Sequence, residues 1–256
     1  MLIDTHTHLF VEAFDEDRQE MLSRAREAGV EQFLLPNIDV DTIAIAKKMA
    51  EDEADCELMM GLHPCSVKED YRIQLERVEK ALDENKCVAV GEIGIDLYWD
   101  KTFLEQQKEA FRIQCEWAKQ RQLPIAIHAR DSFRELFEVL DVINDDALTG
   151  VFHCFTGGQE EAKKIMGYGG FMMGIGGVLT FKKSGLDQTV KDIPLENLIL
   201  ETDSPYLAPS PNRGKRNESA YLKDIAQKLA DVKEMTLEAV ALETSKNARK
   251  LFKLEV

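Results

Sequence analysis

No two of the five cysteines, Cys56, Cys65, Cys87, Cys115 and Cys154, are spaced as a CxxC pair, and their number is odd. The pattern is that of reduced, buried thiols in a reducing compartment rather than a disulfide framework. Basic charge is also short: 32 Lys and Arg stand against 47 Asp and Glu, a net charge of −15. That excess counts against a protein that coats nucleic acid by counterion release. It leaves room for an enzyme whose positive charge comes from bound metal ions. The start lacks a basic segment followed by an apolar one, so no secretory leader is expected. The most apolar internal run, GGFMMGIGGVLTF at 169–181, is too short and glycine-rich to span a bilayer. A cytoplasmic protein with no membrane partner is expected. No Pro/Gly/Ser-rich linker divides the chain, and residues 1–256 read as one domain. No GxGxxG follows the first apolar run, which weakens a dinucleotide-binding reading.

What is present is alternation. Short apolar runs at 2–6, 32–36, 57–61, 87–93, 124–128, 150–154, 170–175 and 197–202 read as eight strands. Between them, segments at 17–28, 42–53, 71–85, 104–122, 132–140, 160–168 and 186–192 carry helical spacing. Strand-then-helix order implies a parallel sheet, and eight such units at this length predict an α/β fold, a (β/α)8 TIM barrel. An open doubly wound sheet is the alternative. Two further helical segments, around 219–230 and 236–252, would complete the outer ring.

The five histidines fall on one part of this map. His6 and His8 end strand 1, His63 follows strand 3, and His128 and His153 end strands 5 and 6. The C-terminal ends of barrel strands carry the active site. One histidine there is ordinarily a packing residue; five of five are hard to assign to packing. Side chains two apart on a strand share a face, so Asp4, His6 and His8 point one way. Val88, Val90 and Glu92 form a second such series, and Ile199, Glu201 and Asp203 a third. A carboxylate aimed into a barrel is costly unless paired or metal-bound. The candidate ligands are therefore His6, His8, Glu92, His128, His153 and Asp203. Six exceed the needs of one tetrahedral ion. They suit two divalent ions bridged by a carboxylate, most simply Glu92. Cys154, next to His153, would face the other way on a strand and is not counted.

With these residues placed, DTHTH at 4–8, GLHP at 61–64, GEIGID at 91–96, IHAR at 127–130, HCFTG at 153–157 and ETDSPYLAP at 201–209 resemble the successive motifs of the TatD family. That family comprises metal-dependent deoxyribonucleases on an amidohydrolase-like barrel. NRGKRNE at 212–218 and SKNARKLF at 245–252 are similar too, so the resemblance spans the chain in order. It implies one ion on His6, His8, Glu92 and Asp203 and another on Glu92, His128 and His153. It implies that Asp203 takes the proton of the attacking water and that His63 reaches the scissile phosphate or leaving group. Asp96 and Tyr98 would shape the substrate pocket, and Arg130 would contact phosphate. Two departures touch substrate loops: Ser219 stands where the family often has proline, and Leu97, not an aromatic, follows GEIGID, with Tyr98 and Trp99 after it.

Other residues carry two readings. Asp4 would support a histidine from below; Glu201 would do the same or form an internal salt bridge. Arg213, Lys215 and Arg216 form the densest basic run, either a solvated loop or a phosphate clamp hinged at Gly214. Trp99, Phe103 and Phe155 would stack bases or pack, with Phe155 favoured for stacking by its strand spacing from His153. The expected function is a metal-dependent deoxyribonuclease using a metal-activated water, working 3′ to 5′ on single-stranded DNA. The competitors are a related barrel hydrolase of esters, amides, lactones or aminoacyl-tRNA esters, a non-catalytic nucleic-acid-binding protein, and a metal-storage or sensing protein. Imidazole ligands favour zinc, whereas phosphate chemistry often runs on magnesium or manganese, so the metal stays open.

Overall fold

A computed structural model describes residues 1–255. Eight strands follow in chain order: β1 (Leu2–Asp4), β2 (Val30–Pro36), β3 (Cys56–Met60), β4 (Cys87–Asp96), β5 (Ile125–Arg130), β6 (Gly150–Phe152), β7 (Phe171–Ile175) and β8 (Leu198–Leu200). Each pairs in parallel with the next, in the order β1 to β8. The helices are α1 (Arg18–Glu27), α2 (Ile43–Asp52), α3 (Tyr71–Glu84), α4 (Leu104–Arg121), α5 (Phe133–Ile143), α6 (Gln159–Gly167), α7 (Leu186–Asp192), α8 (Leu222–Lys233) and α9 (Leu237–Phe252). The fold is the eight-stranded TIM barrel of the amidohydrolase-like type, as the alternation predicts.

Residue pattern explains the layers. Helix α5 places Phe133, Leu136, Phe137 and Leu140 on one stripe, which packs toward the sheet. Strand residues alternate between two cores. Leu2, Phe33, Leu58, Val90, Ile127 and Phe152 belong to the outer core beneath the helices. Ile3, Leu34, Met59, Ala89, Ala126, Val151 and Ile199 fill the interior, with the partly buried Met172 against them. The interior is therefore a packed plug with at least one side chain from every strand, β4 adding Val88 beside Ala89.

Helix α9 corrects an expectation. Its start is capped by Thr236 Oγ1, which accepts from the Ala239 amide at 3.2 Å. Its end does not simply extend the ring: Ala248, Leu251, Phe252 and Leu254 join the interior cluster. Asn247 Nδ2 donates to the Leu195 and Leu198 carbonyls at 2.9 Å each, and Lys253 Nζ donates to the Gln122 carbonyl at 2.9 Å. These acceptors precede or begin strands, so α9 stoppers the N-terminal mouth. The opposite mouth is left for chemistry. Among the described residues no helix is long and apolar enough to cross a membrane.

Candidate metal centre

Strand ends build the site, although two strands stop earlier than their sequence suggests. β1 ends at Asp4 and β8 at Leu200. Past those points backbone bonds still join the segments: Thr5 N–H to Leu200 O at 3.1 Å, Asp203 N–H to His6 O at 2.9 Å and His8 N–H to Ser204 O at 2.8 Å. Asp203 has φ 58°, a left-handed conformation that acidic residues tolerate better than most. His128 lies on β5, and His153 directly follows β6.

Glu92 arrives by a different route from the one alternation suggests. Val90 belongs to the outer core, so Val88, Val90 and Glu92 do not share an inward face. The β4–β5 register shifts between Val90 and Ile93, and this irregularity carries Glu92 to the mouth. The Gly91–Glu92 peptide is cis. Gly94 has φ +145°, and a Cβ there would lie 2.1 Å from the His128 carbonyl oxygen. Only glycine meets both demands.

All five histidines surround this one carboxylate, which is 3% exposed. Oε2 lies 3.2 Å from His6 Nε2 and 3.8 Å from His8 Nε2. Oε1 lies 2.7 Å from His128 Nδ1, 3.5 Å from His63 Nε2 and 3.8 Å from His153 Nε2. The two oxygens thus divide the imidazoles into two groups. Asp203 Oδ1 stands 3.5 Å from His8 Nε2 and 3.6 Å from His153 Nε2. Three sets of ligand atoms cluster closely enough to share an ion: His6, His8 and Asp203; His63, Glu92 and His128; and His6, His153 and Glu201.

Contacts on the far side of the rings fix which nitrogen faces inward. His8 Nδ1 donates to the Pro36 carbonyl at 3.2 Å, so its Nε2 lone pair is free for a cation. His153 Nδ1 faces Glu201 Oε1 at 3.0 Å, leaving Nε2 toward Glu92 and Asp203. His63 is the reverse. Its Nδ1 accepts the Cys65 amide at 3.1 Å, so in the neutral ring the proton sits on Nε2. Nε2–H is a donor aimed at the centre, not a lone pair for a metal. This separates His63 from the ligands even though it lies among them.

The charge balance fits cations. Burial alone would raise Glu92, but His63, His6, His153 and His128 hold it well below the usual carboxylate range. Asp203 is lowered against its burial by His153 and His8. Burial opposes protonation of His128, yet hydrogen bonds to Asp96 and Glu92 raise it to about 9. His153 rises to about 10 against its burial through Glu201, Glu92 and Asp203. Without metal, protons on imidazoles balance the clustered acids. Burial lowers His6 and His63. Three buried atoms of the site, His6 Nδ1, His153 Nδ1 and Glu201 Oε2, have no hydrogen-bond partner among the described residues. Four imidazoles and two carboxylates around one buried pocket suit divalent ions.

Several expected roles change. Asp4 does not sit under His6: it faces Thr202 and Ser219 on the far side of the β1–β8 seam. The alternation argument failed because β1 ends at Asp4 itself. Asp96 is buried rather than lining a pocket. Its Oδ2 accepts from His128 Nε2 at 2.9 Å, and its Oδ1 accepts the Tyr98 and Trp99 amides at 2.9 and 3.2 Å. Burial would raise its pKa, but the His128 and Trp99 bonds pull it down to about 2. Phe155 is buried against Phe133, while Trp99 is exposed, so the expected order of stacking candidates is inverted. Phe103 is half-buried, with Lys68 over its ring. Arg216 is no clamp: it makes a bidentate pair with Asp17 at 2.6 and 2.7 Å. Arg213 and Lys215 are exposed, Arg213 lying over the Phe181 ring. Tyr98 and Arg130 lie at the mouth, in contact with each other. Glu201 sits behind His153 and also accepts the Cys154 amide.

Sequence reading passed over Tyr206, half-exposed beside His8 at 6.1 Å between rings. It also passed over Asn217, whose amide donates to Thr202 O at 2.8 Å and Tyr206 O at 2.6 Å, pinning the loop after Asp203. Their place inside ETDSPYLAP and NRGKRNE was the available signal.

An eight-stranded barrel with a buried histidine–carboxylate cluster at the C-terminal mouth defines a metal-dependent hydrolase of the amidohydrolase-like type. Comparison with known proteins narrows this. The sequence model described as "TatD related DNase" matches residues 3–253, and the chain belongs to that family. It is similar to the uncharacterized metal-dependent hydrolase YabD of Bacillus subtilis, 39% identical over 255 residues, covering 99% of this chain and 100% of that protein. It is similar to the "3'-5' ssDNA/RNA exonuclease TatD" of Pantoea ananatis, 32% identical over 260 residues, covering 99% and 100%. The crystal structure of YjjV, a TatD homologue from Escherichia coli, superposes with TM-score 0.93 at 29% identity, covering 99% and 98% of the two chains.

Proposed function

We propose that this hydrolase is a phosphodiesterase that cleaves DNA, removing nucleotides from the 3′ end of single strands, and that residues 1–256 form its single domain. The observation that carries the reading is the division of the imidazoles between the two oxygens of Glu92. His6, His8, Glu92 and Asp203 would hold one divalent ion, and Glu92, His128 and His153 the other. Bound there, magnesium, manganese or zinc would polarise a phosphoryl oxygen and acidify a water. The family description and the name of the Pantoea relative support nucleic acid as substrate.

The protein's own groups have separate tasks. Asp203 is held as a carboxylate and is partly open to the mouth, so it can accept the proton of an attacking water. His63 presents Nε2–H to the phosphate or leaving oxygen, a direction set by the Cys65 amide. Glu201 and Asp96 orient His153 and His128. Arg213 and Lys215 offer the exposed positive charge after β8 to flanking phosphates.

The test is a substrate panel. Metal-loaded protein is expected to shorten 3′-ended single-stranded oligonucleotides stepwise and to stop in chelator. Strong turnover of esters, lactones or aminoacyl-tRNA without nuclease activity would refute this reading. So would DNA binding that survives chelator and Asp203→Ala with no cleavage in either state.

A further inference from the structure

The rim beside the candidate metal centre carries an aromatic pair that folding does not use. Trp99 is 70% exposed and Tyr98 54% exposed. Their rings meet edge to face, with centroids 4.9 Å apart at 90°. The Arg130 guanidinium lies 3.8 Å from the Tyr98 centroid and 5.4 Å from that of Trp99. Lone exposed apolar residues are ordinary, but two adjacent rings with a cation stacked on them form an open π surface.

This surface is tied to the centre. The amides of Tyr98 and Trp99 both donate to Asp96 Oδ1, while Asp96 Oδ2 holds His128 Nε2. Arg130 stands two residues beyond His128, and its carbonyl accepts the Leu97 amide at 3.0 Å. One buried carboxylate therefore sets both a ligand imidazole and the turn that carries the rings. The backbone of that turn is anchored to the centre by hydrogen bonds.

We infer that Trp99, with Tyr98 and Arg130, is a stacking platform for an unpaired nucleobase next to the scissile phosphate. The inference rests on the nuclease reading above and adds the feature that selects single strands. Every base offers a π face, so the platform tolerates sequence. A paired base keeps its faces inside the duplex and cannot use it. Arg130 adds positive charge at the edge, where the nucleotide's phosphates run.

Two measurements test this. In the first, Trp99→Ala and Trp99→Phe are compared with wild type on an end-labelled single strand. A matched strand carries a tetrahydrofuran abasic residue beside the 3′-terminal linkage. Trp99→Ala should raise KM roughly 5- to 150-fold, the range for loss of one base–aromatic stack. Trp99→Phe should restore most of the loss, and the difference between wild type and Trp99→Ala should close on the abasic strand. In the second, metal-loaded protein is titrated with a strand whose 3′-terminal linkage is a hydrolysis-resistant phosphorothioate. The chain has two tryptophans and Trp117 is buried, so fluorescence quenching reports Trp99. Quenching by the base-bearing strand, weak for the abasic one, is expected. Cleavage by wild type with neither KM nor fluorescence sensitive to the base would overturn the platform. Base-dependent quenching without cleavage would instead refute the nuclease reading and leave the platform standing.

Discussion

Asp4 is fully buried and accepts the Thr202 amide at 2.9 Å and the Thr202 and Ser219 hydroxyls at 2.6 Å each. Burial raises its pKa from the ordinary 3.8 to about 7, with those three bonds only partly opposing the rise. Folding therefore takes up a proton at Asp4. Its contribution favours the fold below about pH 4 and is lost as pH rises through about 7. In chelator-treated protein, the Tm of wild type should fall relative to Asp4→Asn between those limits. Parallel melting curves across that window would refute the assignment. The residue also shows where sequence reading stops. The histidines were legible because all five sit at strand ends, a pattern that needs no side-chain direction. Asp4, Phe155 and Arg216 were not, because each role depends on which way a side chain faces once regular alternation has ended.

At the scale of elements, β7 and the segment just past β8 meet through a missing side chain. A Cβ on Gly174 would lie 2.2 Å from Glu201 Oε2, and Glu201 has no exposure through which to escape. Gly174→Ala should push Glu201 off His153 and weaken metal binding roughly 10- to 100-fold, the usual cost of losing a carboxylate behind a ligand histidine. Gly167→Ala in α6, where an added Cβ meets nothing within 4 Å, is the control. Equal metal affinity of the two variants, measured by chelator competition, would remove Glu201 from the site's support. Strand count and order were legible from the period of apolar runs. The bulge that turns Glu92 inward was not, since it is set by packing against β5 rather than by local pattern. The destination of α9 was equally hidden: its apolar stripe suits a barrel wall or a barrel floor, and only the interior residues it meets decide.

For the whole molecule, the excess of acidic over basic residues argues for a short grip on the substrate. If binding rests on the metal centre and a few rim cations, about 1–3 phosphates are neutralised by protein side chains. The slope of log affinity against log salt on single strands should then be shallow, about −0.7 per phosphate. A slope steeper than about −4 would mean that the strand is tracked along an extended surface. Bulk charge was legible from composition. Its consequence depends on the fold, which gathers five of five histidines at one mouth and closes the other with α9.

The central claim is that Glu92 joins two ion sites whose cooperation cleaves DNA. Its most direct test is cleavage of end-labelled single-stranded DNA by wild type and Glu92→Ala, with bound metal counted on the same samples. Wild type is expected to hold two ions per chain and to cleave only with metal, while Glu92→Ala retains its fold, holds fewer ions and does not cleave. Cleavage by Glu92→Ala at the wild-type rate would contradict the account.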